Sequence, residues 1–403
     1  MIVLSGASLV LPDRVLSPGT IVIEDGRIAE IRADTPSGGN NTFAFHGHYI
    51  VPGFIDVHVH GVDGVDSLDA RPAGDAIASM AASLPRYGVT AFCPTTVACG
   101  PEALRGVLDQ VRGARRTPAA RSARVLPAHL ESNFINAEYC GAQPSTCLRS
   151  PRAALGAGGS GGSDFTAADI LAEIERASPD VGIVTLASEL DGGLDLIRWL
   201  TSRGHRVSLG HSAATYEEAL AGIAAGARHA THLFNRMPPL HHRAPGLAGA
   251  ILQTDEVAAE IICDGFHVHP ALIRMAIAAK RPSRILAITD ATAAAGLPPG
   301  SGAFLGGQPI SAGESTALLP DGTIAGGVLT MDRAFQTLVG RVGLSLVDAA
   351  TICATTPARE LGLVGHGVLA PEAVADLVVL DANFSVVQTY LAGQLVYARN
   401  NAA

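Results

Sequence analysis

Short apolar runs alternate with longer, alanine-rich stretches through most of the chain. Eight runs recur: GFIDV (53–57), VTAFC (89–93), VLPAHL (125–130), GIVTLA (182–187), RVSLG (206–210), RHATH (228–232), AEIIC (259–263) and ILAIT (285–289). Each has the length of a strand and is followed by a stretch with helical spacing, which is the pattern of repeated βα units and a parallel sheet. Eight units predict an α/β fold of the closed, TIM-like (β/α)8 kind, whose chemistry gathers at the C-terminal ends of the strands. One connecting helix is marked at both ends: Thr215 to Glu218 has the form of a capping box, and Gly226 stands where a C-cap falls.

The termini have a different texture. The first segment reads as short strands around a two-residue hairpin turn at Asp25-Gly26, and the last (ADLVVLDANF, SVVQTYLAG, QLVYAR) returns to the same pattern. The two are expected to pair into one small β-sandwich. The predicted organisation is therefore 1–52 sandwich, 53–360 catalytic barrel and 361–403 sandwich. The stretch LGAGGSGGSDF (155–165) reads as a flexible loop, because no Lys-Ser/Thr follows its glycines as a phosphate loop would require.

Composition narrows the function. With 48% hydrophobic and 16% charged residues in 403, the chain can bury a large core. The net charge of -9, with no dense basic run, excludes a nucleic-acid or anionic-membrane surface and leaves a small-molecule partner. Six cysteines without a CxxC pair suggest neither a disulfide framework nor a zinc ribbon. No signal-peptide pattern and no apolar run near ~18 residues is present, so a cytoplasmic protein without a membrane span is expected. Lys280 is the only lysine.

The residues that leave the eight runs are His58 and His60, Cys93, Glu131, Glu189, His211, His232, Asp264 with His267, and Asp290. Most are of metal-ligand type. Residues two apart in an extended segment point to one side, so His58 and His60 form a chelating pair. A lone His-x-His is equally a hydrogen-bonded core feature. The case is made by Glu131, His211, His232 and Asp290, each at the end of a different strand that a barrel brings around one pit. Such a set holds a divalent ion, zinc first, with iron, manganese or cobalt as alternatives. An ion of this kind lowers the pKa of water and polarises a carbonyl, which points to hydrolysis of an amide or ester, with Asp290 as the proton-transferring carboxylate. The other reading of Asp290 is a helix N-cap. The loop 229–252 carries His241, His242 and Arg243, and Arg243 with His267 is expected to hold an anionic group.

Together these segments resemble the N-acetylglucosamine-6-phosphate deacetylases, a family within the amidohydrolase superfamily. The resemblance rests on PGFIDVHVHG (52–61), HLES-FIN around Glu131, GHS-AT-EEA (210–219), THLFN-MPPLHHR-PGLAGAIL (231–252), CDGFHVHP (263–270), ITDAT (288–292) and LTMDRAF (329–335), in family order over nearly the whole chain. It implies a barrel with a small β-sandwich, a homodimer, and hydrolysis of the acetamide of an amino-sugar 6-phosphate to acetate and the free amine. It also implies Glu131, His211 and His232 as the principal metal ligands, with His58 and His60 building a second site beside Glu131 and Asp290, so one or two ions per subunit. Many amidohydrolases bridge two ions with a carbamylated lysine; Lys280 falls in a predicted helix after strand seven, which leaves any bridging to Glu131. The family's substrate contacts map onto Asn235, Arg243 and His267, with Asp290 as acid and base.

Two departures from the family pattern stand out. Ser132-Asn133 follows the metal glutamate where the family has Gly-Pro, and Gln143 replaces a histidine that helps polarise the substrate carbonyl. Glutamine donates a hydrogen bond but carries no charge. They admit a related substrate: the galacto epimer, an unphosphorylated sugar or another N-acyl group. A weakly catalytic, sugar-phosphate-binding homologue is the remaining alternative.

Overall fold

The structure, a computed structural model, describes residues 1–34, 41–69, 75–156 and 164–399. Eight parallel strands form its centre: β1 (Phe54–Val59), β2 (Val89–Thr96), β3 (Ala128–Glu131), β4 (Val181–Leu186), β5 (Arg206–Leu209), β6 (His229–Ala230), β7 (Ala258–Ile262) and β8 (Ile285–Ile288). Each pairs with the next in parallel. The ring is drawn shut just beyond β8, where the Asp290 N–H donates to the His58 carbonyl at 3.0 Å and the His60 N–H to the Ala291 carbonyl at 2.8 Å. The eight apolar runs are thus the eight barrel strands. The sixth is only two residues long, because the chain turns into the left-handed region at His232 (φ 30°) and leaves the ladder there.

Helices cover the barrel as the sequence pattern predicts. The helix Tyr216–Ala225 starts at Thr215, whose hydroxyl accepts from the Glu218 N–H while the Glu218 carboxylate accepts from the Thr215 N–H, and Gly226 ends it. A second capping box, Thr166 with Asp169, starts the helix Ala167–Ala177. Most of the glycine-serine stretch expected to be a loop, 157–163, lies outside the described residues.

The termini build a separate eight-stranded sheet. Strands Ile2–Val10, Val15–Glu24, Arg27–Arg32, Thr42–Ala44 and Tyr49–Pro52 join Leu377–Leu380, Val386–Leu391 and Gln394–Ala398, with Tyr49–Pro52 running antiparallel to Leu377–Leu380 as the seam. The sheet has an apolar core of its own, including Leu4, Leu9, Ile21, Ile50, Leu377 and Tyr390. The hairpin at Asp25-Gly26 has both residues at positive φ (49° and 78°), the twist that a tight antiparallel turn requires.

One element was not expected from the sequence. Between 302 and 327 the chain forms a four-stranded antiparallel sheet over Gly302–Leu305, Gln308–Ala312, Thr316–Leu318 and Ile324–Gly327, packed through Ala303, Leu305, Ile310 and Ala325 onto Val97, Ala293 and Ala294. It stands at the C-terminal mouth of the barrel, where Leu305, Ile324 and Ala325 help to line the pocket.

Lys280 closes the helix Pro270–Lys280, is buried (1% exposed), and donates to the Thr254 carbonyl far from the strand ends that carry the histidines. Burial, partly offset by Asp255, lowers its pKa from 10.5 to about 8. Because the folded value lies below the unfolded one, the unfolded chain binds the extra proton between these limits, and stability contributed by this group rises with pH across that window. The native chain is therefore expected to gain on the order of 3 kcal/mol relative to Lys280→Met between about pH 8 and 10.5. Denaturant unfolding of both proteins across that range checks this; parallel stability curves would refute it.

Candidate active site

The strand ends bring six donors into one buried group. His58 and His60 leave β1, Glu131 ends β3, His211 follows β5, His232 follows β6 and Asp290 follows β8. Glu131 is central: its Oε1 lies 2.8 Å from both His211 Nε2 and His232 Nε2, and those two nitrogens are 3.0 Å apart. On the other side, His58 Nε2 and His60 Nε2 are 3.2 Å apart, each 3.3 Å from Asp290 Oδ1, and His60 Nε2 is 3.5 Å from Glu131 Oε2. Three of the six sit in the left-handed region, His211 (φ 48°), His232 (φ 30°) and Asp290 (φ 47°), a conformation rare outside glycine and concentrated at working sites. The chain turns sharply there as it leaves each strand. Gly61 permits the same crowding beside β1, since a Cβ would lie 2.4 Å from the Val65 carbonyl oxygen and 2.5 Å from the Ala293 nitrogen.

This donor set fits a divalent ion. Ring nitrogens bound at ~2.0–2.1 Å around a tetrahedral ion lie roughly 3.3 Å from each other, and the observed spacings fall near that value. Glu131 with His211 and His232 makes one such group, and Glu131 with His58 and His60 another. The His60 and His232 Nδ1 atoms have no hydrogen-bond partner among the described residues, while His211 Nδ1 is 2.7 Å from the Tyr139 carbonyl, so its Nε2 is the lone-pair nitrogen that faces Glu131. Lys280 is absent from the group, as expected.

Below the donors lies a residue that the sequence reading missed. Glu260, within β7 and fully buried, accepts from His58 Nδ1 and His229 Nε2, both at 2.9 Å, and from the His232 backbone N–H at 3.3 Å. Burial alone would raise its pKa; the imidazoles of His129 and His58 and the His229 hydrogen bond hold it well below the usual carboxylate range. Burial likewise opposes charge on His58, yet Glu260 and Asp290 raise its pKa to about 10. Asp290 is held low by His58 and His60 against the opposing effect of burial, so it stands as the ionised carboxylate, the form a general base requires.

A cavity of about 470 Å³ opens above the donors, lined by His60, Glu131, His211, His232 and Asp290 together with Gln143, Asn235, Arg236 and His267. Gln143 does lie beside the donors. Its Oε1 accepts from the Ala98 N–H at 2.7 Å, which turns the amide nitrogen inward to donate to Glu131 Oε2. His267 rests Nδ1 on the Asp264 carboxylate at 2.6 Å, leaving Nε2 without a partner among the described residues, and Asn235 donates to the His232 carbonyl. Arg243 is not brought to the cavity: it is exposed and donates to His242 Nε2 at 2.8 Å, because its loop folds outward. Glu189 and Cys93 also stay apart, the first accepting from Asn136, Ser212 and the Ala213 N–H, the second buried in β2. Ser132 and Asn133 are buried and bond to the Thr185 and the Cys99 and Cys147 carbonyls, which is the local consequence of replacing Gly-Pro.

A closed βα barrel with histidines and carboxylates converging at its strand ends defines a metal-dependent hydrolase. Residues 49–396 match the Amidohydrolase family. The chain is 36% identical over 416 residues to the N-acetylglucosamine-6-phosphate deacetylase of Rattus norvegicus, covering 99% of this chain and 95% of that protein. It is 34% identical over 347 residues to the N-acetylgalactosamine-6-phosphate deacetylase of Escherichia coli O157:H7, covering 86% and 87%. Among solved structures, an N-acetyl-D-glucosamine-6-phosphate deacetylase mutant from Mycobacterium smegmatis in complex with N-acetyl-D-glucosamine-6-phosphate superposes with a TM-score of 0.87 at 32% identity, over 98% of this chain and 99% of that one. The chain belongs to the amidohydrolases and, within them, to the N-acetylglucosamine-6-phosphate deacetylase family.

Removing the buried carboxylate below the donors should be costly. Glu260→Ala leaves the His58 and His229 nitrogens without their acceptor and is expected to destabilise the protein by about 3–5 kcal/mol, read as a fall in the denaturant midpoint. Glu260→Gln, which keeps an acceptor oxygen, should lose less. Equal stabilities for all three proteins would show that Glu260 does not hold this region together.

Proposed function

We propose that this protein hydrolyses the acetamide of N-acetylglucosamine 6-phosphate to glucosamine 6-phosphate and acetate. The observation that carries this reading is the convergence of Glu131, His211 and His232 with His58, His60 and Asp290 on one cavity in a chain of this family. Glu131, His211 and His232 hold a divalent ion, for which zinc is our first assignment, and His58 and His60 beside Glu131 and Asp290 offer a second site. When bound, the ion supplies an electrophile for the acetamide carbonyl and acidifies water. Asp290, held ionised, accepts the proton of the attacking water as the new C–O bond forms. The same proton passes from Asp290 to the sugar nitrogen as the C–N bond breaks, so that the amine leaves neutral. Gln143, with its amide nitrogen turned inward, steadies Glu131 and presents a donor near the carbonyl. Asn235 and His267 bind the sugar phosphate.

On this reading the chain acts as a homodimer in the cytoplasm; among the described residues no helix is long and apolar enough to cross a membrane. A second substrate, the galacto epimer, is favoured by two observations: Gln143 in place of the family histidine, and the resemblance to the Escherichia coli galactosamine enzyme.

Acetate release from the two phosphorylated epimers, with metal content measured on the same sample, is the test. Chelator should abolish turnover and added metal restore it. His211→Ala should lose both metal and activity, whereas Asp290→Asn should keep metal at the Glu131 group but lose roughly 10²–10⁴-fold in kcat. Full activity in the chelated protein, or in His211→Ala, would reject the proposal.

A further inference from the structure

The end of the barrel away from the paired histidines holds a second cavity. Its volume is about 540 Å³, more than that of the cavity over the donors, and it lies where the chain enters β3, β4, β5 and β6, with the segment 360–363 as a further wall. None of its lining residues belongs to the site described above.

Arg206, Arg228 and Glu360 are the arginines and the carboxylate on this wall. Arg206 and Glu360 answer each other: Arg206 Nη1 lies 3.2 Å from the carboxylate and Nη2 donates to the Glu360 carbonyl, while Arg284 and Arg359 approach the same carboxylate at 3.2 and 2.9 Å. Glu360 is thus fully taken up, and no carboxylate of the wall is left for Arg228. Arg228 Nη1 donates to the Ile223 and Ala227 carbonyls, both at 2.8 Å, which fixes the guanidinium at the end of the helix Tyr216–Ala225. Its Nε and Nη2 have no hydrogen-bond partner among the described residues. His205 stands on the same wall and is 5% exposed. Burial lowers its pKa and keeps the ring neutral; Nδ1 lies 3.0 Å from the Val181 carbonyl and so carries the proton, and Nε2 is an acceptor without a partner among the described residues. Leu126, Pro127, Val207, Leu361 and Leu363 make much of the remaining wall apolar.

We propose that this cavity is a second binding site, for a small hydroxy acid, with the carboxylate on Arg228, the hydroxyl donating to His205 Nε2 and the hydrocarbon against the leucines. A fixed cation, an unfilled buried acceptor and an aliphatic wall are the complement of those three groups. One unanswered cation calls for one negative charge, which favours a carboxylate over a doubly charged phosphate. Arg206 opens β5 and Arg228 stands just before β6, so the ligand sits at the base of the two strands that lead to His211 and His232. The site does not depend on the deacetylase reading above.

Calorimetric titration of the intact metal-loaded protein with 2- and 3-hydroxyhexanoate, and with hexanoate as the hydroxyl-free control, tests this. At least one hydroxy acid should bind about 10-fold more tightly than hexanoate, as one added hydrogen bond allows. Arg228→Ala should weaken binding of that acid by on the order of 10-fold or more, with partial recovery in Arg228→Lys. His205→Phe should bring the hydroxy acid down to the level of hexanoate and leave hexanoate as it was. Binding of none of the three acids, equal binding of all three, or binding unchanged in Arg228→Ala would overturn the proposal, as would tighter Arg228-dependent binding of inorganic phosphate. A carboxylate also suits an ion at the other end of the barrel, so the titrations are repeated on His211→Ala. Binding retained there supports the distal cavity, and binding lost there places the acid at the strand ends and overturns the proposal. Acetate release and hydroxy-acid binding are read separately, so either reading can fail with the other intact.

Discussion

A carboxylate sealed away from water must be answered by its neighbours, and in this barrel that requirement falls on Glu260. Its two oxygens take up His58 from β1, His229 from β6 and the backbone of His232 just beyond β6, so β1 and β6 are both tied to one side chain on β7. The polar ladder continues sideways, with His129 on Thr185, Thr185 on Thr231 and Thr231 on Ser208. A barrel core filled only with aliphatic groups would pack as well. It would not fix which nitrogen of His58 faces the cavity, whereas the Nδ1 contact to Glu260 leaves Nε2 pointing at His60 and Asp290.

The strands above this layer then do the rest by leaving the ring abruptly. His211, His232 and Asp290 all adopt positive φ at the point of exit, and each is held there by bonds made on both sides: Asp290 to the His58 carbonyl, and the residues after His211 and His232 to the neighbouring turns. The strain is local, and the connected backbone around it supplies the compensation. This is why each of the six side chains lies within 3.5 Å of at least one other although the residues are spread from 58 to 290.

Much of this was legible in the sequence. The barrel showed because each strand is an apolar run bracketed by helical spacing, and the donors showed because their residue types are rare and each stands directly after a run. Glu260 was hidden for the opposite reason: it sits inside AEIIC, and alternation along a strand does not say that the inward face of this barrel is polar. The small sheet at 302–327 escaped because its strands are short and glycine-rich, although Gly306-Gly307 and Asp321-Gly322 mark its turns. Loop chemistry misled at Arg243, since composition finds a cation but not the direction in which its loop folds. Arg236 lies in the same segment and was passed over, because only the left-handed turn after β6 sends it to the cavity.

Glu131 gives the site an asymmetry with an evolutionary reading. One of its oxygens is shared by His211 and His232, and the other faces His60 and Gln143. Loss of His58 and His60 would leave a compact three-residue group intact, whereas loss of Glu131 would leave four imidazoles without the carboxylate that both halves share. Substitution at the paired histidines of β1 therefore removes one half of the site and leaves the other, whereas substitution of the glutamate at the end of β3 reaches both halves. The half that carries those histidines is also the half anchored by Glu260, so a chain without them leaves a buried charge with fewer partners and should change residue 260 in step.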